Sequence, residues 1–82
     1  MAAPRRREQP RRLGRKLLAI RQKLGMSQTE MAKALRLKVS YTVVSAFERG
    51  KQEPHLLILL RYAKLAGVST DVLIDDKLSL PR

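Results

Sequence analysis

The chain has 82 residues, 18 of them Lys or Arg against 7 Asp or Glu, giving a net charge of +11 at pH 7, and it has no cysteine. That length allows one small domain whose core supplies only about 3–5 kcal/mol, and the lack of thiols excludes disulfides and thiolate metal sites and fits a reducing cytoplasm. The basic balance makes a polyanion the expected partner; the longest apolar run, Leu56 to Leu60, is five residues, far short of the roughly 20 that span a bilayer, so nucleic acid is expected rather than a membrane.

Catalysis is excluded on side-chain chemistry. His55 is the only histidine, and Asp71, Asp75 and Asp76 have no histidine beside them. No nucleophile–base pair, metal-ligand spacing or glycine-rich phosphate loop appears, so neither a metal nor a cofactor is expected.

Residues 1–12, MAAPRRREQPRR, hold two prolines and five arginines and almost nothing that could be buried. They read as a disordered basic arm in which Arg5, Arg6, Arg7, Arg11 and Arg12 are available to a phosphate backbone or a minor groove; the plainer reading is a solubilising tail. Leu13, Leu17, Ile20 and Leu24 then recur at helical spacing and predict a first helix ended by Gly25. Its other side, with Arg15, Lys16, Gln22 and Lys23, reads as a solvated face on which Arg15 or Lys16 is a secondary candidate for a phosphate.

Ser27 and Glu30 form the sequence signature of a capping box, so a second helix is expected from Gln28, with Met31, Ala32 and Leu35 as a narrow apolar face. Ser40 is the expected N-cap of a third helix running to Gly50, whose glycine can take the left-handed conformation that ends a helix. Val44 and Phe47 share its inner face. The other face, Tyr41, Thr42, Ser45 and Ala46 with Arg49 at its end, is short or polar, a surface able to approach base edges in a major groove about 12 Å wide. After Lys51-Gln52-Glu53, Pro54 suits a helix start, and Leu56, Leu59, Leu60 and Ala63 are the expected buried face of a fourth helix closed by Gly67. Ser69 or Thr70 caps a short fifth helix, with Val72 and Leu73 inward and Asp71 suiting its dipole. Five helices and no credible strand predict an all-α fold, with a folded body over residues 13–76 and a C-terminal tail over 77–82.

Leu13-Gly14, Ile20-Arg21, Gly25, Ser27-Gln28, Met31-Ala32, Leu35, Val44-Ser45, Phe47-Glu48-Arg49-Gly50-Lys51, Glu53-Pro54, Leu59-Leu60, Ala63-Lys64, Gly67-Val68-Ser69 and Asp71 occur in an order that resembles the Cro and phage-repressor (Xre-like) helix-turn-helix family over about residues 13–74. The resemblance implies a five-helix repressor-like domain that binds double-stranded DNA with its third helix in the major groove. It places Gln28 and the loop after Gly50, including Lys51, on phosphates, and it turns Tyr41, Thr42, Ser45 and Ala46 toward bases; Lys38, Ser40 and Arg49 are further candidates for phosphates. It also implies that Arg21 pairs with Glu48 as part of the architecture. Two positions depart from the pattern. Arg36 stands where the family has a glycine, at the head of a connection two residues longer than usual, Arg36 to Ser40; the extra residues either lengthen the second helix or push Lys38 toward a phosphate. His55 replaces a serine-like cap.

Apolar residues exceed what this core needs. Leu57 and Ile58 are expected to point away from the buried stripe of the fourth helix, with Leu65 seven residues beyond Ile58, and Ile74, Leu78 and Leu80 continue the surplus; together they predict a homodimer surface. The plainer reading is single exposed side chains and a loose tail. The expected function is a sequence-specific DNA-binding transcription regulator. The alternatives are an antitoxin-type module that also binds a protein, and a nonspecific nucleic-acid binder driven by the arm.

Overall fold

The computed structural model describes residues 10–38 and 40–81, and Arg5, Arg6 and Arg7 of the expected arm lie outside the described residues. Five helices form: α1 (Leu13–Lys23), α2 (Gln28–Ala34), α3 (Thr42–Glu48), α4 (Leu56–Ala66) and α5 (Thr70–Ile74). There is no strand among the described residues. The capping box opens α2 as its sequence dictates: the Glu30 amide donates to Ser27 Oγ at 3.0 Å, and the Ser27 amide donates to Glu30 Oε1 at 2.8 Å.

Leu17, Met31, Leu35, Val44, Tyr62 and Leu73, fully buried, join all five helices in one core, completed by Leu13, Ile20, Phe47, Ile58, Leu59 and Ala63. α1 packs on α3, α4 and α5, and α2 packs on α3. Three expectations need correction. Leu24 lies beyond the end of α1 and is exposed. The buried face of α4 is Ile58, Leu59, Tyr62 and Ala63, whereas Leu56 is 82% exposed and Leu60 40%. Five consecutive aliphatics fit a helix in any phase, and the large Tyr62 beside the small Ala63 selects the one that fills the core. Ile58 is therefore a core residue and leaves the set of dimer candidates. Leu65 and Leu80 also pack partly buried against the core, while Leu57, Ile74 and Leu78 remain exposed.

Four helices end in the same way. In α2 the Leu37 amide reaches back to Ala32 O and the Arg36 amide to Lys33 O, both at 3.0 Å, which satisfies carbonyls that a helix end otherwise leaves open. Equivalent pairs of bonds close α1, α3 and α4, where the left-handed residue is Gly25, Gly50 or Gly67. In α2 it is Arg36, with φ 58°. The longer connection thus leaves α2 at its ordinary length. In the connection that follows, Leu37 packs on the core and Lys38 is exposed; Val39 lies outside the described residues.

A side chain at left-handed φ costs roughly 1–2 kcal/mol, which glycine avoids at the expense of a more flexible unfolded chain. Arg36→Gly is therefore expected to stabilise the fold by about 0.5–1 kcal/mol and to raise the melting midpoint by a few degrees. A lower midpoint in a thermal melt would show that Arg36 makes a compensating contact.

Candidate nucleic-acid interface

α3 is built to be held from behind. Val44 and Phe47 are 0% and 4% exposed and fix the helix against α1 and α2. The approach of α1 is close enough to exclude any side chain at Gly14, since a Cβ there would lie 2.7 Å from Glu48 O and 3.1 Å from Phe47 O. The N-cap position of α3 is Tyr41, without a side-chain cap, and not Ser40 as expected; the Ser40 Oγ lies 2.6 Å from the Thr42 hydroxyl and 3.4 Å from the Thr42 amide. Outward, Tyr41 and Thr42 are exposed, and Ser45 and Ala46 are half-buried beside them. Arg49, Lys51 and Lys38 are exposed around this face.

Glu48 is the one acid of α3, and it is turned inward. Its side chain is 5% exposed and receives Arg21 Nε at 2.6 Å and Nη2 at 3.1 Å, a two-pronged ion pair in which Arg21 is 17% exposed. Gln28 Nε2 donates to the same carboxylate at 3.1 Å, and Arg21 Nη1 donates to Met26 O at 3.0 Å. The hydrogen bond to Glu48 strengthens the hold of Arg21 on its proton. One cluster thereby locks α1, the loop before α2, the start of α2 and the end of α3. Gln28, expected on a phosphate, has its amide nitrogen in this cluster and is half-buried, while Thr29 and Glu30 beside it in the first turn of α2 are exposed.

Arg11 and Arg12, expected in the basic arm, are tied to the C-terminal segment. The amides of Arg11 and Arg12 each donate to the Asp76 carboxylate at 3.0 Å, and these backbone bonds hold Asp76 below the usual carboxylate range. Arg12 is corrected out of the phosphate-binding set: its guanidinium donates to Asp76 O at 2.8 Å, to Leu78 O at 3.4 Å and to Ser79 Oγ at 3.2 Å. The C-terminal segment crosses the start of α1 carbonyls first, and a guanidinium is the natural donor to them. Lys16 is likewise removed from the solvated face. It is buried, and Nζ donates to Val72 O at 2.7 Å and Asp75 O at 3.0 Å, neutralising the open end of α5, while burial lowers its affinity for the proton. Arg61, which the sequence did not single out, closes α2 by donating to Leu35 O at 2.9 Å.

Residues 17–73 match the profile of the helix-turn-helix family. Among solved structures, the chain is similar to the P22 c2 repressor crystallised with the synthetic operator 9T in the presence of Tl+ (30% identity, TM-score 0.70, 78% of this chain and 94% of that one). A hypothetical transcription factor from Neisseria, NHTF, shows 27% identity and a TM-score of 0.68 over 90% of this chain and 83% of that one. SinR, solved in complex with SinI, shows 26% identity and a TM-score of 0.69 over 79% of this chain and 62% of that one. No curated protein matches the sequence.

Proposed function

From the premise that the chain belongs to the helix-turn-helix family, with the Cro and phage-repressor type of domain, we propose that it is a transcription regulator that binds specific double-stranded DNA by inserting α3 into the major groove. The observation that carries this reading is the charge arrangement of α3. Its single acid is neutralised internally by Arg21, so the outer face presents Tyr41, Thr42, Ser45 and Ala46 without a negative charge, framed by Lys38, Arg49 and Lys51. Hydroxyls of Thr and Ser can donate to or accept from base edges, and Ala or Tyr can meet a thymine methyl. The cations and the open amides at the start of α2 suit the phosphates on either side of the groove.

The reading includes a two-fold pair of chains on DNA, because a single seven-residue helix spans few base pairs. Leu57, Ile74 and Leu78 are the surface residues assigned to that pairing. Selection of bound duplexes from a random library tests both parts: the expected result is one enriched sequence, repeated in inverted orientation about one helical turn apart. Recovery of duplexes with no shared sequence would identify a nonspecific binder instead.

A second reading, a module that also docks a protein, is favoured by the apolar strip Leu56, Leu57 and Leu60 along α4. The similarity to SinR, solved with a protein partner, runs in the same direction.

A further inference from the structure

A cleft of about 390 Å³ lies between the start of α1 and the end of α3, and Arg11, Arg15 and Arg49 all line it, with Gly14 and Gly50 in its walls. We infer that this cleft is a single phosphate site, in which Arg11, Arg15 and Arg49 together grip one phosphodiester of the DNA backbone and Asp76 acts as the positioning residue for Arg11. The inference rests on the DNA-binding reading and adds to it a site, a principal role for Arg15, which the sequence offered only as a secondary candidate, and a part for the C-terminal segment.

Three cations on one cleft repel one another unless an anion joins them. Glu48 and Asp76 are engaged elsewhere. Glu48 also lines the cleft, yet its carboxylate is bound to Arg21 and Gln28. Both carboxylate oxygens of Asp76 accept backbone amides, those of Arg11 and Arg12. Among the described residues the Arg15 and Arg11 guanidiniums make no hydrogen bond or ion pair, and Arg49 Nε makes only a 3.4 Å contact with Ser45 O in its own helix. The cleft is also built at close tolerance. The missing side chain at Gly14 lets α1 approach the carbonyls of Phe47 and Glu48, which brings Arg15 beside Arg49. Asp76 fixes the backbone of Arg11, which lines the same cleft. Guanidinium groups suit the planar, two-oxygen edge of a phosphate, and the positive end of the α1 dipole adds to their field.

The test measures affinity and its salt dependence for the wild type, Arg15→Ala, Arg11→Ala, the double variant and Asp76→Ala on one duplex, with melting curves to set a temperature at which each is folded. Arg15 is exposed and makes no hydrogen bond or ion pair among the described residues, so its variant is expected to fold normally. Arg15→Ala is expected to weaken binding roughly 3- to 10-fold on any sequence and to reduce the salt slope by about 1. Because the arginines share one phosphate, the double variant is expected to lose little more slope than either single one. Replacing the phosphates one at a time by uncharged methylphosphonates is expected to reveal one position that weakens the wild type but no longer distinguishes it from Arg15→Ala.

Asp76→Ala gives the sharpest contrast. Removing a negative charge strengthens DNA binding if only net charge matters, whereas loss of a positioning residue weakens it. A slope unchanged by Arg15→Ala, or tighter binding by Asp76→Ala, overturns the cleft assignment while leaving DNA binding intact. A wild type that shows no salt-dependent binding to duplex DNA overturns the functional reading itself.

Discussion

Arg21→Ala is expected to cost about 3–5 kcal/mol, enough to leave the domain largely unfolded at room temperature, because it strands a buried carboxylate. Glu48 is 5% exposed and, among the described residues, would retain only the Gln28 amide as a donor. Glu48→Ala is the milder change. Arg21, at 17% exposure, keeps its bond to Met26 O and can reach water, so the expected loss is about 2–3 kcal/mol. Replacing both by apolar residues of similar size, Arg21→Met with Glu48→Leu, is expected to recover much of the stability, since no charge is left unpaired. Thermal melts followed by circular dichroism separate these cases. At roughly 4–8 °C per kcal/mol for a domain of this size, the order wild type, double, Glu48→Ala, Arg21→Ala is readily resolved. Equal midpoints with loss of DNA binding in both single variants would move the pair from the architecture to the interface.

Binding to nonspecific DNA is expected to fall about 10³-fold between 50 and 200 mM salt, with a slope of log K against log salt of roughly −5. The figure follows from about six neutralised phosphates, shared among the first turn of α2, Lys38, Arg49, Lys51 and the arm, each releasing close to one counterion. Equilibrium titrations over that range measure it directly. A flat response would mean that the charge of +11 serves solubility and not recognition.

The parts of the fold that were legible in the sequence are those fixed by local chemistry. The capping box of Ser27 and Glu30, the glycines that end α1, α3 and α4, and the spacing of Leu13, Leu17 and Ile20 each act within one or two turns, so their residues state their own conformation. The resemblance to the repressor family supplied the Arg21–Glu48 pair, a contact across 27 positions that no periodicity reveals. What stayed hidden depended on long-range packing. The five aliphatics from Leu56 carry no phase of their own, so the rotation of α4 is set by Tyr62. The clasp between Arg12 and the C-terminal segment joins residues 64 to 67 positions apart. A signal for it existed: Asp75-Asp76 places two of the seven acids in one dipeptide of a chain whose basic excess is greatest at its other end.

The claim that α3 reads the bases is tested most directly by comparing Thr42→Ala, Ser45→Ala and Lys51→Ala on the selected DNA site and on a scrambled duplex. Thr42→Ala and Ser45→Ala are expected to cost about 1–3 kcal/mol on the selected site and almost nothing on the scrambled one, while Lys51→Ala weakens both equally. Equal losses on both duplexes for all three variants would contradict the account, because α3 would then lie on the DNA without reading it.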